Sequence, residues 1–333
     1  MRIDLLPPEM WETLNDRVRP LVKVANDCSV RVHPGLQASI YETVMGIAQF
    51  FSHKKACGVI KGATPYFEGV MPYLFKDGYQ VQAMKLSEWG NFKAWMDALK
   101  KDTNFVLVPE DHPVTGEIYD WDPIDAILNE KKIFSIRLSH FNHFRGNENL
   151  RPYSVRINSL SQKLSVVVGG NKFKSPPLIS HKMHWDVEKT STEIQKLLSA
   201  FTEDQSVVEA FEKKIQADSS MGLQVLPIAG QRVWDRSLIF SAAINGEALE
   251  NYLFHPKYGR FANPPGAEYE FESTSLCRWG GISLFENWWE NKPAVEVLRG
   301  MVILSVESMK RSEILNELKA AVGACQISFE VEL

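Results

Sequence analysis

Over its first ~190 residues the chain alternates short apolar runs with amphipathic helical ones, and that alternation limits the fold more than any other feature. From His33 to Phe51 a Gly turn leads into a helix on which Ile40, Val44, Ile47 and Phe51 recur at helical spacing. The run ACGVIKGATPYF reads as a short strand ending in a Gly/Pro turn, and Val70 to Phe75 suits a helix. YQVQAMKL is a strand, Phe92 to Leu99 a helix, and TNFVLVPEDHPVTGEI a buried strand running into a turn. Asp122 to Asn129 is helical, and IFSIRLSH and SVRIN are two more strands, the second ending at SLSQK. Such spacing predicts an α/β fold with a mainly parallel central sheet and helices on both faces.

The texture then changes. Thr192 to Gln216 is helical, and Arg232 to Asn245 reads as a long strand running into an Asn245-Gly246 turn. The C-terminal part reads strand (LRGMVILSV), helix (SEILNELKAAV), strand (ISFEVE), an α+β pattern. The expected division is a large domain over 26–220 and a small α+β domain built from 1–25 and 221–333.

A chain of 333 residues with 44% hydrophobic and 23% charged residues buries a core without disulfide or metal staples. A net charge of −4 argues against a broad nucleic-acid footprint. No apolar run is long enough to span a membrane, and the first twenty residues, with acids and tandem prolines, are not a signal peptide. Cys28, Cys57, Cys277 and Cys325 lie far apart, so a reduced cytoplasmic protein is expected, without nucleic-acid or membrane partners.

In an open parallel sheet ligands bind at the carboxyl ends of the strands, and five stretches fall there. They are VHPGLQASI, GATPYFEG, VLVPEDHPVTGEI, IFSIRLSHFNHF and SVRINSLSQKLSVVVGGNKFK. Taken in order, over roughly residues 30 to 320, they resemble the fold-type I pyridoxal-phosphate (PLP) enzymes, the aspartate aminotransferase superfamily.

The resemblance implies a role for each stretch. Gly35, Leu36 and Gln37 would cradle the cofactor phosphate at a helix start, although an ordinary helix cap has the same Gly turn. Tyr66 or Phe67 would stack on the pyridine ring; the alternative is that both are core aromatics. In PEDHPVTG the family's Asn is His112, with Val114 extra, and a His still donates to a phenolate oxygen. Arg137 stands where the family has the Asp that pairs with the pyridinium nitrogen, and a permanent cation cannot hold that proton. His140 falls at the ring-facing Tyr or His. Ser159 and Ser161 match the family's serines, but the strict Schiff-base lysine position is Gln162. Lys163 comes one residue late; a second alignment, of GGNK to the cysteine-desulfurase Gly-His-Lys, makes Lys172 the aldimine lysine. Arg299, with Arg278 as a second candidate, would clamp a substrate carboxylate.

No metal is expected: His140-x-x-His143 with His112, and His181 with His184, lack a partner that completes a standard ligand set. GxSxG, P-loop and GxGxxG motifs are absent. Two readings follow. One is an atypical PLP enzyme acting on an amino acid or a related amine or carboxylate, with Lys163 as aldimine lysine. The other is an aminotransferase-fold protein that has lost aldimine chemistry and binds a small molecule or a partner, or catalyses without PLP. The resemblance also implies a two-fold homodimer, with the aromatic stretch GISLFENWW as candidate interface.

Overall fold

The structure is a computed structural model. It describes residues 8–61, 65–85, 92–111, 116–118, 120–139, 150–161, 163–173, 186–226, 231–234, 236–241, 243–254 and 300–330. The chain divides into two compact units, one of residues 1–111 and 119–202, the other of 112–118 and 203–333.

The first unit is built on seven strands: β1 (Ser29–His33), β2 (Ala56–Lys61), β3 (Gln80–Lys85), β4 (Thr103–Pro109), β5 (Phe134–Ser139), β6 (Ser154–Ser161) and β7 (Leu164–Gly169). They lie in the order β1-β7-β6-β5-β4-β2-β3. Pairings β2–β3, β2–β4, β4–β5 and β5–β6 are parallel, while β7 runs antiparallel to both β6 and β1. The expected mainly parallel α/β sheet is therefore present. Every residue of β4, β5 and β7 is buried; β4 and β7 accordingly read as mostly apolar runs, whereas β5 alternates and buries Ser135, Arg137 and Ser139 as well.

Helices α1 (Pro8–Leu21), α2 (Leu36–Phe50), α3 (Pro65–Lys76), α4 (Phe92–Asp97) and α5 (Asp122–Glu130) complete this unit, with the first part of α6 (Val187–Ala217). Leu14, Val18 and Val22 recur every four residues and pack with Val30, Val32, Val166, Val168 and Ile194 in one buried cluster. That corrects the expected placement of residues 1–25 in the small domain: the stripe on α1 finds its apolar partner on β1 and β7. The boundary also falls within α6, near residue 202, rather than at 220. Helix propagation is local, so one helix serves two cores: Ile194 in the first, Val208, Phe211 and Ile215 in the second.

The second unit has a three-stranded antiparallel sheet in the order β10-β9-β8, from β8 (Gln224–Val225), β9 (Arg236–Phe240) and β10 (Met301–Ser305). Helices α7 (Gly246–Phe254), α8 (Val306–Met309) and α9 (Ile314–Glu330) supply most of its core with the end of α6. Two expectations fail here. The expected long strand over Arg232 to Asn245 is β9 alone among the described residues, and Asn245-Gly246 leads straight into α7. The expected ISFE strand is helix: the buried Ile314, Leu318, Ala321, Val322 and Cys325 hold a helical period that no proline interrupts.

Candidate functional site

All the parallel strands end at one edge of the large sheet, and β1, antiparallel to β7, ends there too. The expected site segments at the start of α2 and the end of β6 both lie at this edge. Gly35 is the N-cap of α2 with φ 89°, a conformation that favours glycine. The helix has no side-chain cap and no acid in its first turn. Its first amides are therefore orphan donors beside a positive dipole end. Gln37 is exposed and Leu36 is buried. Behind them, the Ser165 hydroxyl donates to the Gly35 carbonyl (2.8 Å) and ties the turn to β7.

Ser165 faces Ser159 on β6 and His33 on β1, so the three side chains form a row on the face that α2 covers. The Ser159 Oγ is buried and has no hydrogen-bond partner, leaving a donor under the start of α2. The Nδ1 of His33 lies 3.3 Å from the Glu42 carboxylate, both side chains 1% exposed. Burial, helped by the charge of Arg31, pushes the His33 imidazole down to about 3, so it stays neutral. Burial also lowers Arg31, to about 10, although the Glu42 carboxylate works against that shift.

Sequence reasoning missed His33, Glu42 and Ser165. A signal was present: Ser39, Glu42 and Thr43 fall on the buried side of α2, a polar stripe inside an apolar one. Ser165→Ala is expected to cost about 1 kcal/mol of stability, the net worth of one buried hydrogen bond, measured by denaturant unfolding.

Of the residues expected at the ring end, Arg137, Phe67 and the backbone of Tyr66 are among those described. Arg137 does not face the start of α2; it lies in the middle of β5 on the opposite face, with Arg156 of β6 beside it. Its Nη2 is 3.0 Å from Asp125 of α5 and its Nη1 3.7 Å from Glu110. Arg156 stands 3.5 Å from the other oxygen of Glu110. Ser135 and Ser154 both donate to the Asp125 carboxylate, at 2.7 and 2.9 Å, and the Arg137 guanidinium lies 5.9 Å from the Trp121 ring centroid. Phe67 sits in the first turn of α3, not at a strand end, and is fully buried, so it has no free face to stack on a ring. Tyr66 lies in the same turn.

The two lysines lie at opposite ends of the sheet. Only residues 162–163 link β6 to β7, so Lys163 sits exposed on a tight turn at the carboxyl edge, beyond the half-buried Ser161. Lys172 follows β7, which runs the other way, and its amide donates to Pro152 just before β6. It is therefore at the amino edge, which corrects its assignment to this site. His112, His140, Arg278, Arg299 and GISLFENWW lie outside the described residues. Among the described residues no group of three His, Cys, Asp or Glu could hold a metal, and no helix is long and apolar enough to cross a membrane.

The residues thus fit an anionic group at the start of α2. Three observations among the described residues stand against a PLP ring: Arg137 is turned to the other face, Phe67 is fully buried, and Lys163, the candidate lysine at this edge, is solvated.

No family model and no curated protein sequence matches the chain. Solved structures do. A NifS-like protein aligns at TM-score 0.68 and 12% identity, covering 97% of this chain and 87% of its own. A NifS-like protein from Rickettsia africae ESF-5 aligns at 0.61 and 9%, covering 97% and 88%. A ureidoglycine–glyoxylate aminotransferase from Bacillus subtilis aligns at 0.60 and 9%, covering 96% and 85%. The chain has the fold of the type I PLP-dependent enzymes, the aminotransferase-like fold.

Proposed function

We propose that this is an aminotransferase-fold protein that keeps the anion end of the fold's ligand site and has lost aldimine chemistry. It binds a small molecule carrying a phosphate or carboxylate at the start of α2, where the orphan amides and the Ser159 hydroxyl supply donors. The observation that carries the reading is Arg137: the residue that the resemblance aligns with the pyridinium partner is a buried cation paired with Asp125 on the other face of the sheet.

A lysine that forms a Schiff base needs burial or neighbouring charge to release its proton at neutral pH. Lys163 is exposed and makes no ion pair with a described residue. The second reading, a PLP enzyme using Lys163, is favoured by one observation: Lys163 follows Ser159 and Ser161 at the edge where α2 begins. A homodimer in the cytoplasm belongs to both readings, and sedimentation of the purified protein tests the dimer.

Full-length protein is incubated with excess PLP, reduced with borohydride and mapped by mass spectrometry. The expected result is no stoichiometric tag on any lysine, with inorganic phosphate still binding by calorimetry. A stoichiometric tag on Lys163 overturns the proposal in favour of the enzyme.

A further inference from the structure

Three Lys-Lys pairs stand just before three strands that are neighbours in the large sheet. Lys54-Lys55 precede β2, Lys100-Lys101 precede β4 and Lys131-Lys132 precede β5. Because the strands are parallel, all three pairs lie at the amino edge, away from the start of α2. Strand spacing places them across about 10 Å of backbone. The exposed Arg151 extends the row to the start of β6.

Part of this charge is answered locally. Lys131 pairs with Asp97 at 3.5 Å, Lys100 donates to Gln80, and Lys55 stands 5.1 Å from the Tyr79 ring centroid. Asp102 and Glu130 lie on the same edge. Lys54, Lys101 and Lys132 make no ion pair with any described residue. A chain of net charge −4 therefore carries a local cationic ridge, which the overall charge conceals.

An aromatic ring stands at the same edge. Phe50 is 58% exposed; its ring packs on Phe51 (4.9 Å), which packs on Phe134, the first residue of β5 (5.4 Å). The exposed large hydrophobic residues among those described are all aromatic: Phe50, Tyr73 and Phe75. Aromatic faces beside lysines suit stacked bases and their phosphates, whereas a bilayer surface recruits apolar bulk as well.

We infer that the amino edge of the large sheet binds single-stranded nucleic acid, with Lys54, Lys101 and Lys132 on phosphates and a base stacked on Phe50. The ligand site at the carboxyl edge is not involved, and this inference does not rest on that reading.

Fluorescence anisotropy of labelled oligothymidylate with the full-length protein, titrated with salt, tests it. Wild type is expected to bind at low salt. The triple variant Lys54→Ala/Lys101→Ala/Lys132→Ala should bind more weakly, with the slope of log K against log salt reduced by about two, at ~0.7 per contact on a single strand. Phe50→Ala should weaken binding about tenfold and leave that slope unchanged. Lys213→Ala/Lys214→Ala removes a Lys-Lys pair that is exposed elsewhere, on α6, and should have no effect. Thermal melts check that each variant is folded, and Phe50→Ala tests the idea without altering charge. Absence of oligonucleotide binding overturns the inference. So does equal weakening by the α6 variant, or sedimentation with phosphatidylserine vesicles without oligonucleotide binding.

Discussion

Replacing Asp125 with alanine is expected to destabilise the large unit by about 3–5 kcal/mol, the range for removing one partner of a buried ion pair. The Asp125 carboxylate is the nearest anion to the Arg137 guanidinium, at 3.0 Å, and both side chains are almost fully buried. Without it, the anion left to Arg137 among the described residues is Glu110, 3.7 Å away and shared with Arg156. The hydroxyls of Ser135 and Ser154 lose their acceptor as well. For a unit of this size the change corresponds to a fall in Tm of roughly 10 °C. The double variant Asp125→Leu/Arg137→Met should recover most of the loss, because the cost lies in the unpaired charge rather than in the missing pair. Thermal or denaturant unfolding of the two single variants and the double variant closes the cycle. A single-variant loss below about 1 kcal/mol would mean that Arg137 is not held by Asp125, and the case against a ring site would weaken with it.

The second large effect is a dependence on acid that can be traced to His33. Its folded-state value, about 3, lies below the ordinary 6.5, so the unfolded chain takes up the proton first. Above pH 6.5 both states are neutral at this residue and it contributes nothing to the pH dependence. Between pH 6.5 and about 3 the unfolded state binds more protons, and stability falls as pH falls, by about 2 kcal/mol at pH 5. His33→Gln cannot titrate and should be flatter by that amount over the same interval, measured by denaturant unfolding from pH 7.5 to 4.5. Other carboxylates also titrate on the acid side, so the difference between wild type and variant is the quantity to read. Parallel curves would show that the imidazole is already charged, or hydrated, in the folded protein.

Much of the fold could be read before any coordinates. TNFVLVP declared itself as an apolar run and IFSIRLS by its alternation, and the helices between the strands repeat every three to four residues. The α2 start could be read too, since a Gly turn followed by an apolar helical period is a local pattern. The ring end could not. Arg137 inside an apolar strand is visible as an anomaly, but its partners come from the end of another strand and from a helix. No spacing rule links those positions.

Periodicity is a local property, because each residue's place in a helix or strand depends on its near neighbours. By itself the sequence therefore determined the parallel α/β class, the helix at Leu36 and the chemistry of each candidate side chain. Only the tertiary structure decided which side chains meet. The antiparallel run of β7 placed Lys163 at the carboxyl edge and sent Lys172 to the other. The strand order brought the three lysine pairs together, and the stripe on α1 chose the large unit. These outcomes depend on pairing and burial between distant segments, and their free energy is settled only when the whole sheet has formed.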